Sequence, residues 1–421
     1  MLSPTGPGPA PEWTLLSWGL GADSTAVIAV LCEDPTSYGL REDLSDLVIV
    51  TSHTGEEWPD TYDLAESHVL PLLRRYNVRL VQLARAGQSD AAGYVVLSDT
   101  RQPHHLHRRG PWALSDEYIP TGTLPQYANK KRICSIRAKG SVIDRWVADE
   151  FGDAIYRHAI GFEATETGRS ERDTEYASPT RRPWYPLIEW GWDRTRLQSF
   201  LQETFGVSEW PKSYCALCCF PVTMASRDKH LERCRTFPQV TAKVLLLEHR
   251  AMALNPRSTL YRDTSLKALL ADDGNETALS AYEQLLDESP WAVYNVRRVF
   301  FARRSDTCRA QHATTCTTPL PGCRDTTRKG TCWRSTRTMA IGPRDAIEQY
   351  LHRLAHEAGT TAVAKEGISR ALTHEPGTTY PTAEGLLVAA PAGIEDKERA
   401  HFSDRWDRVL GTNTLPMDLG S

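Results

Sequence analysis

The chain has 421 residues, 40% hydrophobic and 24% charged, with a formal net charge of −4 and a pI near 6.4. That length holds two or three domains and a large core, and the weak net charge excludes a global pull towards nucleic acid or anionic membrane, so any polyanion site must be local. No run of about eighteen apolar residues occurs, which predicts no membrane partner, and ten cysteines are too few for a secreted disulfide scaffold, which predicts a cytoplasmic protein whose clustered thiols serve metal or redox chemistry.

Residues 1–12 are rich in Pro and Gly and are expected to form a disordered leader. A short apolar run from Thr14 to Ser17 then meets Gly19 and Gly21, followed by Asp23, Ser24, Thr25 and a helical apolar pattern through Leu31, which predicts strand, loop, helix. The first amides of a helix lack partners and its dipole is positive there, so the junction suits an anion, with hydroxyl donors on Ser24 and Thr25. Asp23 opposes a bare phosphate but suits a Mg2+ that bridges phosphate oxygens. The loop lacks the terminal Gly-Lys-Ser/Thr of a Walker sequence.

Asp46 to Ser52 is a β-branched apolar run of the kind buried on both faces, Thr54-Gly55-Glu56 follows it, a helix is expected from Asp60 to Tyr76, and Val78 to Leu83 forms the next strand. Alternating strands and helices with short connections predict a parallel, doubly wound α/β sheet whose ligands sit at the carboxyl ends of the strands. Residues 86–125 show no clear period and carry His104, His105 and His107, a run expected to form a mobile substrate-side loop rather than a metal site. Lys130, Lys131, Arg132, Arg137 and Lys139 open the helix that runs to Phe151, and basic side chains at a helix start oppose its dipole unless an anion binds there. Ile155 to Gly161 is a further strand, followed by Glu166 and Arg169, which either meet a phosphate or form a surface pair. Cys215-x2-Cys218, with Cys219 beside it, is a second centre of chemistry. Beyond residue 231 the pattern is amphipathic and helical, with an irregular loop from Ser305 to Trp333 and a tail from Asn413, so the domains are expected at 13–230 and, mainly helical, 231–412, with 413–421 disordered.

The segment Gly19-Leu20-Gly21-Ala22-Asp23-Ser24 resembles the Ser-Gly-Gly-x-Asp-Ser loop of the PP-loop ATP pyrophosphatase and PAPS reductase-like superfamily at three of its five specified positions, with Ser17 supplying the first hydroxyl. His53-Thr54-Gly55-Glu56-Glu57 is similar to that superfamily's Asp-Thr-Gly-x-Glu, with His53 in place of the aspartate. Gly161, Glu166 and Arg169, then Pro186-Leu187-Ile188-Glu189-Trp190, follow its reductase-like branch, so the resemblance covers residues 13 to 225. It implies ATP and Mg2+ at Ser17, Gly19, Gly21, Ser24, Thr25, Thr54, Gly55, Glu56, Arg132 and Glu166, and catalysis by Asp23, Ser24, Lys139 and Arg169.

Iron-sulfur sulfonucleotide reductases hold a [4Fe-4S] cluster with a cysteine pair, a long gap, and Cys-x2-Cys. The resemblance therefore implies a thiolate site from Cys134, Cys215, Cys218 and either Cys219 or Cys234, for an iron-sulfur cluster or, alternatively, Zn2+. Cys308, Cys316, Cys323 and Cys332 lack that spacing and read either as loop thiols or as a second zinc site, and Cys32 reads as core. The expected reaction is adenylation with release of pyrophosphate, coupled to sulfur transfer as in the DNA phosphorothioation relatives. The alternatives are a sulfonucleotide (PAPS or APS) reductase with its nucleophile among Cys308 to Cys332, and a non-catalytic nucleotide-binding subunit. The C-terminal half is expected to meet a nucleic-acid acceptor or a protein partner.

Overall fold

The structure, a computed structural model, describes residues 12–125, 132–221, 226–311, 316 and 322–411. The predicted leader up to residue 11, Lys130, Lys131 and the predicted tail lie outside the described residues. The chain forms two compact units, Met1–Glu117 with Pro125–Ser226, and Tyr118–Leu124 with Arg227–Ser421.

The first unit is an α/β body. Its strands are β1 (Trp13–Ser17), β2 (Leu47–His53), β3 (Arg79–Arg85), β4 (Tyr94–Thr100), β5 (Tyr156–Ile160) and β6 (Arg181–Trp184). They form one sheet in the order β4-β3-β2-β1-β5-β6, parallel throughout except for the antiparallel β3/β4 pair. The helices are α1 (Ala22–Glu33), α2 (Pro59–Leu64) continued through a π turn into α3 (Leu70–Arg75), α4 (Leu114–Tyr118), α5 (Ile133–Ser135) continued through a π turn (Ile136–Gly140) into α6 (Ser141–Phe151), α7 (Thr167–Thr174), α8 (Pro186–Glu189) and α9 (Arg194–Phe205).

Every residue of β2 is buried, as its unbroken apolar run requires of a parallel strand covered on both faces. Alternation along the strands divides the core. Leu16, Ile49 and Leu80 pack with Val27 and Leu31 of α1, Leu73 of α3 and Leu197 of α9, whereas Leu15, Val48 and Val81 pack with Val142 and Trp146 of α6. The strand order reverses between β1 and β5, which places the loops after those two strands side by side.

The segment expected to be a loop from residue 86 to 125 instead contains β4 on the sheet edge. Its continuation is tied down by Leu106 N, which donates to Glu66 Oε1 at 2.7 Å, and by Arg74, which donates to Pro103 O at 2.7 Å.

The second unit corrects the expectation of a mainly helical C-terminal domain. It begins with α10 (Arg227–Thr236), α11 (Pro238–Leu254), α12 (Leu266–Asp272) and α13 (Glu276–Glu288). It continues with β7 (Trp291–Arg304), α14 (Asp306–Gln311), β8 (Arg324–Gly342), α15 (Arg344–Glu357), β9 (Val363–Lys365), β10 (Ile368–His374), β11 (Thr382–Pro391) and α16 (Phe402–Leu410). The five strands make an antiparallel sheet in the order β8-β7-β11-β10-β9. β8 takes up residues 324–333 at the end of the segment expected to be irregular; it is an edge strand whose Thr, Arg and Lys side chains are mostly exposed, so its sequence carries little of the apolar alternation that marks a strand. No described helix is long and apolar enough to cross a membrane.

Candidate functional site

The loop between β1 and α1 is held by its own side chains. Trp18 is buried and donates from Nε1 to Thr25 Oγ1 at 3.0 Å, and Gly19 N donates to Ser24 Oγ at 3.2 Å. Leu20, at the position of a glycine in the resembling loop, has φ 62°, a left-handed conformation that costs a leucine about 1–2 kcal/mol. Its burial in the core offsets that strain, because fully burying a leucine contributes about 1.5–3 kcal/mol. Gly21 caps α1 and lets residue 213 approach, since a Cβ there would lie 3.0 Å from Ser213 Cβ. A Cβ on Gly161, just after β5, would lie 2.7 Å from Ser24 N, so only glycine allows the β5 loop to reach the first turn of α1.

Ser17 closes β1 against β5. Arg181 Nε donates to His158 Nδ1 at 2.9 Å, so the proton of this neutral ring is on Nε2 and is donated to Ser17 Oγ at 2.8 Å. Burial, with Arg181 beside it, pushes His158 down to about 3. The Ser17 hydroxyl thus accepts from His158 and keeps its own proton to donate.

Asp23 projects from the first turn of α1, where Arg194 of α9 meets it at 2.8 Å. Burial raises its pKa; Arg194 and Lys212 oppose this, while Glu166 and Glu163 add to it. Three carboxyl groups therefore share one field with two cations. Glu163 Oε2 and Glu166 Oε2 are buried and have no hydrogen-bond partner among the described residues, and such orphaned carboxylate oxygens fit a hard cation. Arg169, expected to meet phosphate, is exposed, pairs with Glu166 at 2.6 Å and stacks on Phe162.

The Cys215 segment crosses the carboxyl end of β2. Ala216 N donates to Glu56 O at 2.7 Å, and Glu57 and Cys215 form an antiparallel bridge. Within the Thr54-Gly55-Glu56 sequence, Gly55 has φ 81° and its Cβ would lie 2.5 Å from Ala113 Cβ, so only glycine fits. Glu56 turns to Ser115 N at 3.2 Å, and burial raises its pKa; the neighbouring Glu57 is the carboxylate that faces the thiols. Lys139, on the π turn before α6, donates to Glu57 Oε1 at 2.9 Å. Burial alone would lower the Lys139 pKa, but Glu57, Cys215 and Cys218 outweigh it and hold the ammonium charged.

Cys134, Cys215, Cys218 and Cys219 lie in one electrostatic neighbourhood. Burial pushes all four thiols up, Cys219 to about 11, and repulsion from neighbouring thiols adds to the shift of Cys215, Cys218 and Cys219. Arg132 stacks on Phe220 at the edge of this group, 4.5 Å from the ring centroid. Cys234, grouped with them from sequence, belongs to the second unit, where its thiol lies 3.9 Å from His230 Nε2. Among the described residues, the group of three or more metal-type ligands whose donor atoms all lie within 4.8 Å of one another is a different one, Cys308, Cys316 and Cys323 in the second unit, and it could hold a metal ion. His105 and His107 meet edge to face, with ring centroids 5.0 Å apart, and form no such group.

Glu57, Glu163, Arg194, Lys212, Ser213 and His158 were not among the site residues expected from sequence, although Glu57 is the closing glutamate of the His53–Glu57 motif and Lys212 and Ser213 lie just before Cys215. No family model matches the sequence, and no curated protein or solved structure matches it.

Proposed function

We propose that the first unit is a doubly wound PP-loop nucleotide site that binds ATP with Mg2+, releases pyrophosphate through an adenylated intermediate, and passes the adenylate to sulfur transfer at the Cys134, Cys215, Cys218 and Cys219 group. The observation that carries this reading is the meeting of the α1 N-terminus with the β5 loop at the reversal of strand order, beside Asp23, Glu163 and Glu166 with two orphaned carboxylate oxygens. Helix amides and the hydroxyls of Ser17 and Ser24 suit the phosphates, Thr25 being buried against Trp18, and Arg194 and Lys212 add positive charge. Asp23, Glu163 and Glu166 are the residues that would hold Mg2+, which when bound supplies charge neutralisation on the pyrophosphate. In the first step a substrate oxygen attacks the α-phosphorus, a P–O bond forms, and pyrophosphate leaves with the electron pair of the broken bond. A persulfide, formed on one cysteine of the group by an external sulfur donor, then attacks the adenylated atom; the bond to its terminal sulfur forms as the bond to AMP breaks, and AMP leaves with the electron pair. A second cysteine of the group cleaves the resulting mixed disulfide, which releases the thiolated product and leaves a protein disulfide for reduction by an external thiol.

The acceptor we infer is nucleic acid, bound by the β7–β8 region of the second unit. Residues 291–342 carry ten basic and two acidic side chains, a net +8, in a chain whose net charge is −4. Arg324, Arg328, Lys329 and Arg337 are exposed on β8, where they also keep an edge strand from pairing with another sheet.

The test is Mg2+-dependent pyrophosphate release from ATP by the anaerobically purified chain, with duplex DNA or tRNA as acceptor. Asp23→Asn is expected to lower the rate by about 100-fold or more while the protein stays folded. Sulfite release from a sulfonucleotide, without pyrophosphate release from ATP, would contradict the reading.

A further inference from the structure

The connection between β7 and β8 runs from residue 305 to 323 and contains one large aliphatic side chain, Leu320, and no Phe, Tyr or Trp. Such a composition offers little apolar surface with which to offset the entropy of ordering. Its two ends are nevertheless joined, because Ser305 N donates to Cys323 O at 2.9 Å and Cys308 N donates to Ser305 Oγ at 3.2 Å.

Three thiols meet at this junction. Cys308 and Cys316 are buried, Cys323 is half-buried, and their sulfurs all lie within 4.8 Å of one another, with Cys316 and Cys323 Sγ 3.9 Å apart. None of the three is disulfide-bonded, and the 3.9 Å separation of Cys316 and Cys323 is far beyond the roughly 2 Å of a disulfide. Tetrahedral Zn2+ with Zn–S bonds of about 2.3 Å sets its sulfurs about 3.8 Å apart, close to the separation observed. The cysteines of a cubane iron-sulfur cluster each bind a different iron, so their sulfurs stand further apart than ligands of a single ion.

We propose that Cys308, Cys316 and Cys323 bind a structural Zn2+ that ties the β7–β8 connection, with the fourth tetrahedral position taken by a non-sulfur ligand. The charge balance supports this assignment. Arg304 and Arg324 lie opposite each other in the strand register, an arrangement that like charges destabilise, and Arg304 Nη2 donates to Cys308 O at 3.0 Å. Zn2+ with three thiolates carries a net charge of about −1, which sets a compensating negative centre beside these arginines. Binding releases the three thiol protons to solvent, and no redox change is involved. The site lies wholly within the second unit and does not depend on the nucleotide chemistry proposed for the first.

The test begins with the full chain expressed with zinc, desalted, and analysed for bound metal. Cys308→Ser and Cys323→Ser are each expected to lose one zinc equivalent that Cys215→Ser retains. Because a cysteine variant could misfold, the wild-type protein is also alkylated before and after chelation, with the modified residues mapped by mass spectrometry. Cys308, Cys316 and Cys323 are expected to resist alkylation until the chelator is added, and the unfolding midpoint to fall when it is. Absence of zinc, alkylation of these three at the same rate with and without chelator, or a Cys316–Cys323 disulfide in anaerobically purified protein would overturn the assignment.

Discussion

The Glu57 side chain is 3% exposed, and its charge is balanced by Lys139 at 2.9 Å. Removing one partner of a buried pair leaves the other charge unmatched, which costs about 3–5 kcal/mol, whereas removing both costs much less. Lys139 is partly exposed, so the low end applies. Lys139→Met is expected to destabilise the chain by about 3 kcal/mol in chemical denaturation, and Lys139→Met with Glu57→Gln to recover most of the loss; equal losses in the single and double variants would contradict the pairing. At this scale the sequence is half legible. Asp23, Ser24 and Thr25 stand out because a strand, two glycines and a helix start are local features. Arg194 does not, because it meets Asp23 from 171 residues away, and a single chain read along its length carries no sign of that partner.

Among the elements, the approach of the β5 loop to α1 is the arrangement most sensitive to a small change. Gly161→Ala would put a methyl group 2.7 Å from Ser24 N, and because that contact is backbone, the helix start itself must shift. Overpacking of this kind costs about 1–3 kcal/mol. The variant is expected to fold with a lowered unfolding midpoint and to lose nucleotide affinity by more than tenfold, read by titration with ATP and Mg2+; wild-type affinity would show that this contact does not shape the site. β1, β2 and α1 were legible because buried parallel strands and a largely buried apolar helix leave strong patterns. β8 was not, because an exposed edge strand of Arg and Thr has the composition of a loop. β4 differs, since Tyr94-Val95-Val96-Leu97 has strand composition, although its residues are half-exposed at the other sheet's edge.

Over the whole molecule, among the described residues, each unit holds two buried neutral histidines. Burial lowers His53 and His230 to about 4 and His158 and His249 to about 3. Unfolded, each would titrate near 6.5, so between that value and its folded pKa the unfolded state takes up a proton that the folded state refuses. Stability is therefore full above about pH 6.5 and falls as the pH drops, by up to about 1.4 kcal/mol per pH unit for each histidine. Thermal unfolding between pH 7 and pH 5 is expected to show a falling midpoint, with a smaller slope in a His249→Gln variant; a midpoint that rises on acidification would contradict the neutral assignment. The charge of the chain is also uneven, since the +8 of residues 291–342 leaves −12 elsewhere, an asymmetry hidden in the overall −4.

The measurement that tests the central claim most directly is calorimetric titration of the full chain with an ATP analogue whose α,β bridging oxygen is replaced by carbon, with and without Mg2+, in wild type and Asp23→Asn. One analogue bound per chain, dependent on Mg2+ and weakened at least tenfold by Asp23→Asn, is the predicted result. Binding that ignores both Mg2+ and Asp23, or no binding of the analogue where a sulfonucleotide binds, would contradict the account.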